Sequence, residues 1–160
     1  MPVYTLHRTQ TVALPLDECW SFFSNPANLS RITPASLGFR VLSGLPAEIY
    51  PGLMIRYTVS PLLRIPLTWV TEITQVRRPE FFVDEQRVGP YRVWHHEHTF
   101  RALDNSRTEV TDLVHYVPPF GPIGAVLNAF VIRRQLDAIF RFRADQLIKI
   151  CQTRSGDSFA

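Results

Sequence analysis

The stretch AVLNAFVIRRQLDAIFRFRADQLIKICQ, Ala125–Gln152, contains neither glycine nor proline, and its reading decides the fold. Pro122, just upstream, suits a first helical turn, and the uninterrupted run that follows predicts one long helix. On a helical projection Ala125, Ala129, Ile132, Leu136, Ile139, Phe140, Leu147 and Ile150 share one stripe, while Arg134, Asp137, Arg141, Asp145 and Lys149 lie away from it. At 1.5 Å per residue such a helix spans roughly 40 Å, enough to cross a sheet. An amphipathic helix of that length needs an apolar partner of matching size.

The partner is the segment before it. Between Ser36 and Pro118 the texture is strand and turn, broken at Gly44-Leu45-Pro46, Pro51-Gly52, Pro61, Arg78-Pro79, Gly89-Pro90 and Asp104-Asn105. The intervening runs, 37–43, 53–60, 65–76, 81–88, 91–103 and 108–117, predict six strands. Their short links favour an antiparallel meander. A further strand is expected over 3–14, where apolar and polar residues alternate up to Pro15. After it Leu16, Cys19, Trp20 and Phe23 fall at i, i+3, i+4, i+7, a short helix, and 27–32 predicts another before Pro34. The expected architecture is α+β: a curved seven-stranded antiparallel sheet with two short helices after the first strand and the long C-terminal helix laid in its concavity. Because a twisted sheet of this size curls, a single helix leaves a cavity against it, lined by alternate residues of each strand.

Composition sets the limits of function. The 160 residues suit a single domain, 1–152, with 153–160 expected as a disordered tail. Apolar residues make up 46% and charged residues 19%, which describes a globular chain. The net charge of +3 is scattered without a basic run, so nucleic-acid binding has little support. Cys19 and Cys151 belong to no CxxC pair; a disulfide framework and a zinc ribbon are not expected, and a reducing, cytoplasmic setting is. The N-terminus lacks the pattern of a secretory signal, and no apolar run is long enough for a membrane span.

The order of strand, two short helices, six strands and long helix resembles the helix-grip superfamily of START-like and SRPBCC proteins. Locally, FFVDEQRVGPYRVWHHEHTF, TEVTDLVHYVPPFGPIG and IFRFR resemble its bacterial branch labelled polyketide cyclase-like or, where fused to a sugar-epimerase-like domain, cell-division-inhibitor-like. The resemblance implies a small hydrophobic or aromatic ligand, lipid- or polyketide-like, held between sheet and helix, and an epimerase-like protein partner as a further option. It implies no cofactor.

Strand alternation sorts the candidate site. In VWHHEHTF the set Trp94, His96, His98 and Phe100 holds the larger rings and is assigned to the cavity; His95 and Glu97 are assigned to solvent. This same set is the one the family-like Trp-x-His-x-His-x-Phe keeps. Asp84 and Gln86, with Phe82, form one set on the preceding strand, chosen over Phe81, Val83 and Glu85 by the family-like Asp-x-Gln; Asp112, Val114 and Tyr116 form one set on the following strand. Tyr57 and Trp69 fall in the apolar sets of their own strands. Arg143 lies in the middle of the helix stripe, where a lone charge either snorkels to water or meets an acid such as Asp84 or Asp112. The expected ligand-binding residues are therefore Tyr57, Trp69, Asp84, Gln86, Trp94, His96, His98, Asp112, Tyr116 and Arg143.

Three chemistries compete for these residues. His-x-His puts two imidazoles on one face, but no third metal ligand is fixed by spacing and HHEH is not the helical H-E-x-x-H, so no metal is assigned. A histidine near Asp84 or Asp112 suits a general base, which makes a cyclase or dehydratase using His96 or His98 the enzymatic alternative. The favoured reading is that these groups bond one another across the strands, and that the protein binds a ligand without turning it over.

Overall fold

The computed structural model describes residues 2–60 and 65–156. Seven strands form one sheet: β1 (Tyr4–Val12), β2 (Arg40–Val41), β3 (Met54–Val59), β4 (Leu67–Arg77), β5 (Phe81–Val88), β6 (Val93–Ala102) and β7 (Thr108–Val117). Their order across the sheet is β1-β7-β6-β5-β4-β3-β2, and every pairing is antiparallel. Consecutive strands from β2 to β7 form the expected meander. β1 closes onto the far edge, against β7, with Tyr4 opposite Tyr116. Register shifts between β4 and β5, at Val70/Thr71 and Ile73/Gln75, are bulges of the kind that bend a sheet.

After β1, helix α1 (Leu16–Phe23) drives Cys19, Trp20 and Phe22 into the core. The second short helix is a 3₁₀ segment, Pro26–Ile32, whose first turn is capped by the Asn25 side chain accepting from Ala27 N–H at 3.0 Å. The strand expected over 37–43 shrinks to two residues. A second 3₁₀ turn, Ala35–Leu37, occupies its start and ends on Gly38 in the left-handed region (φ 55°), a backbone position that favours glycine. The breaker Pro61 lies outside the described residues, as does the part of the expected tail beyond 156.

The C-terminal helix runs from α2 (Gly121–Leu127) through a π turn (Asn128–Ile132) into α3 (Arg133–Gly156). The π turn changes the phase of its first turns: Ala129, expected inside, is exposed, and Asn128 is buried in its place. From Leu136 onward the expected stripe holds, with Leu136, Phe140 and Leu147 buried.

Two apolar clusters fill the space between sheet and helices. One gathers Trp20, Phe22, Phe82, Phe100 and Leu147 around α1; Trp20 meets Phe82 and Phe100 edge-on at 6.1 and 5.7 Å. The other joins Leu6, Val114 and Tyr116 to Leu136 and Phe140. Burial first, and then the neighbouring Cys151, push the Cys19 thiol up to about 12, so it stays a neutral core thiol.

Candidate functional site

At the centre of the sheet, Asp84 on β5 pairs in register with His96 on β6, and His98 on β6 with Asp112 on β7. The side chains cross the register. His96 Nε2 lies 2.9 Å from Asp112 Oδ1, and His98 Nε2 lies 2.8 Å from Asp84 Oδ2. His98 Nδ1 also lies 3.0 Å from Asp112 Oδ1, but off the hydrogen-bonding line, while His96 Nδ1 stands back from Asp84 Oδ2 at 3.4 Å. The two imidazoles overlap at 3.7 Å between centroids, and Phe82 stacks on the other side of His98 at 4.2 Å.

Arg143 reaches this group from α3. Its Nη1 donates to Asp112 Oδ1 at 3.4 Å, and its guanidinium lies over the Phe140 ring, 4.9 Å from the centroid. The helix-stripe arginine therefore meets an acid rather than snorkelling to water.

Electrostatics separate the two histidines. Burial disfavours charge on both. For His98 the hydrogen bonds and charges of Asp112 and Asp84 outweigh burial and raise its pKa above 6.5. For His96 burial, reinforced by the charge on His98, wins and lowers it. Both carboxylates stay below their ordinary range despite burial: Asp112 through the two imidazoles against it and the charge of Arg143, Asp84 through the adjacent imidazole of His96 and the bond from His98. With His98 protonated and His96 neutral, two carboxylates balance one imidazolium and one guanidinium. The buried group is then neutral as a whole, which lowers the desolvation penalty that an unbalanced set would carry. Asp84, His96 and His98 also present ligand atoms within 4.8 Å of one another, but a dication there would displace the proton His98 holds against Asp84.

Beside this group lies a cavity of about 200 Å³ between the sheet, the 3₁₀ segment and α3. Its aromatic wall runs from Phe39 through Tyr57 and Trp69 to Tyr91 and Trp94; Tyr57 stacks on Trp69 at 6.0 Å, and Trp69 meets Trp94 edge-on at 5.4 Å. Asp84, His96, His98 and Arg143 supply its polar side. Tyr57 Oη shares a 2.9 Å hydrogen bond with Thr71. Two buried donors of lining residues, Trp69 Nε1 and Arg143 Nε, have no protein partner among the described residues.

Seven of the ten expected residues thus line one cavity: Tyr57, Trp69, Asp84, Trp94, His96, His98 and Arg143. Asp112 stands behind them, facing a smaller space beside β1. Gln86 and Tyr116 are engaged elsewhere. The Gln86 amide donates to Tyr91 O and accepts from Tyr91 N–H, stapling the β5–β6 turn, and Tyr116 Oη donates to Asn128 at 2.9 Å. His95 and Glu97 fall on the other face, where His95 bonds Glu85 at 2.9 Å. Sequence reasoning passed over Phe39, Tyr91 and Phe140 as site residues. Phe140 carried a signal, since it precedes Arg143 by one turn on the same stripe; Phe39 and Tyr91 lie in irregular segments where no periodicity points inward.

Residues 12–143 match the model of the family described as polyketide cyclase / dehydrase and lipid transport. No curated protein matches the chain. Among solved structures, a START superfamily protein from Mycobacterium smegmatis superposes with a TM-score of 0.71 at 11% identity, covering 93% of this chain and 97% of that one. The Zhui aromatase/cyclase from Streptomyces sp. R1128 gives 0.69 at 17%, covering 96% of each chain. A norcoclaurine synthase from Thalictrum flavum gives 0.68 at 13%, covering 96% and 97%. At these identities the likeness is one of fold.

Proposed function

The chain belongs to the polyketide cyclase / dehydrase and lipid transport family, of the START-like helix-grip type, and from that premise we propose that it binds a neutral aromatic molecule carrying carbonyl or ether oxygens. The observation that carries this reading is the pair of unpartnered buried donors, Trp69 Nε1 and Arg143 Nε, on residues of a cavity whose wall combines aromatic rings with aliphatic side chains such as Ile55, Ile73 and Leu136. A buried donor without an acceptor is costly, and a ligand oxygen removes the cost. Flat rings match the stacked and edge-on faces of Tyr57, Trp69 and Trp94. Neutrality follows from the charge count, because Arg143 is already balanced within the histidine–aspartate group and a ligand carboxylate would add an uncompensated buried charge.

Binding is favoured over turnover by histidine. Both Nε2 atoms are engaged by carboxylates, His96 by Asp112 and His98 by Asp84, and each Nδ1 lies within 3.4 Å of a carboxylate oxygen. A histidine acting as general base would first have to give up its place in this group, which supports binding over turnover.

Native mass spectrometry of the purified protein, followed by tryptophan-fluorescence titration with flavone and with palmitate, tests this. Flavone, a neutral aromatic ketone, should quench and saturate, and Trp69→Phe, which keeps a ring and removes the donor, should weaken it by about three- to tenfold. Preference for palmitate, or no effect of Trp69→Phe on flavone, would overturn the proposal.

A further inference from the structure

The first turns of the C-terminal helix present large apolar side chains to solvent. Phe120, Ile123 and Phe130 are 72%, 67% and 65% exposed, with Val126, Leu127 and Val131 exposed between and beside them. The spacing 123, 126, 127, 130, 131 is one continuous helical face. The opposite face is fixed to the body of the protein: Asn128 accepts from Tyr116 Oη, and Gly124 sits so close to Pro119 that a Cβ there would fall 1.8 Å from the carbonyl oxygen. The patch is thus held outward rigidly, and a protein surface seldom leaves such a cluster unused.

Charge selects the occupant. From Pro118 to Leu136 there is no acidic residue, and exposed Arg133 and Arg134 follow directly on the apolar face. Arg92, also exposed, approaches the same end of the sheet, its backbone N–H bonded to Val117 O at 2.9 Å. The first acid beyond the face, Asp137, is already paired with Arg8, and an apolar face with a cationic rim and no acid of its own is complementary to an anionic bilayer surface. A symmetric contact between two copies would instead bring the same arginines together. No described helix is long and apolar enough to cross a membrane, which leaves docking in the interfacial plane.

We infer that the face formed by Phe120, Ile123, Val126, Leu127, Phe130 and Val131 docks the protein on anionic lipid membranes. The consequence reaches the cavity through Tyr116, which bonds Asn128 on the inner side of this helix and packs against Tyr91 and Trp94 of the lining at 5.8 and 6.2 Å. Docking therefore sets the membrane one helix away from the cavity wall. The inference is independent of which ligand the cavity takes.

Co-sedimentation with vesicles of phosphatidylcholine alone, and of equal parts phosphatidylcholine and phosphatidylglycerol, tests it. The wild-type chain should sediment with the mixed vesicles and less with the neutral ones. Ile123→Asp and Phe130→Asp should lower partitioning by about tenfold or more, the loss expected when one large apolar side chain no longer inserts. Arg133→Gln with Arg134→Gln should abolish the preference for the anionic vesicles. Ile148→Asp, a change at an exposed apolar residue far along α3, should leave binding unchanged. Because all five positions are exposed, thermal unfolding should stay close to wild type throughout. Absence of sedimentation, an equal loss with Ile148→Asp, or a dimer that Phe130→Asp converts to monomer without any vesicle binding would each overturn the inference.

Discussion

Asp112 carries more of the buried polar group than any other residue, because His96, His98 and Arg143 all converge on its Oδ1. Asp112→Asn keeps the shape and removes the charge, leaving Arg143 and His98 as buried cations opposite Asp84 alone. Loss of one member of such a set costs about 3–5 kcal/mol, which urea unfolding would register as a lower midpoint with unchanged slope. His98 gives the group a pH signature. Its folded pKa is raised above the ordinary 6.5, so its contribution is complete below 6.5 and fades as pH rises through the folded value. The stability difference between wild type and His98→Gln should accordingly be largest near pH 5–6 and shrink towards alkaline pH; a difference that grows with pH would contradict the assignment. Alternation along β6 was sufficient to read which residues face inward, since Trp94 and Phe100 fix the phase. It carries no information on which nitrogen meets which carboxylate, because side chains that cross the register depend on neighbouring strands far apart in sequence. Gln86 shows the same limit: its strand phase is inward, yet the turn at Tyr91 claims its amide.

At the scale of elements, the long helix was legible from an absence, the lack of glycine and proline over 125–152, whereas its phase near the start was not. A π turn inserts one residue per turn without any compositional mark, and here it coincides with a tertiary bond, Tyr116 to Asn128. The short β2 was equally hidden, since a 3₁₀ turn ending on a left-handed Gly38 competes for the same residues. The anchoring of the helix start makes a paired prediction. Gly124→Ala places a methyl against the Pro119 carbonyl and should cost about 1–3 kcal/mol, read as a drop in Tm. Gly44→Ala meets nothing within 4 Å and should leave Tm unchanged or slightly raised. Equal effects at the two positions would mean that the helix start is free to shift.

For the whole molecule, the sequence of elements sufficed for the α+β grip architecture, but not for the edge at which β1 lands. Its partner β7 is about a hundred residues away, and the short links that predict a meander are silent on so distant a pairing. That closure completes the concave face, and what the concavity leaves open has an energetic meaning. While the cavity is unfilled, its apolar lining forgoes the roughly 25 cal/mol per Å² that burial gives. A bound molecule recovers part of that loss. At a concentration one hundred times its Kd, a ligand should stabilise the fold by about 2.7 kcal/mol, or roughly 5–10 °C in Tm for a chain of this length. Ile139, half-buried on α3 and lining the cavity, offers the converse experiment. Ile139→Trp should fill part of the space, keep or raise the Tm of the free protein, and abolish the flavone-induced shift. A variant that retains both the wild-type Tm and the full shift would place the ligand elsewhere, whereas a stabilised protein that no longer responds to ligand would identify the void as the working part of the fold.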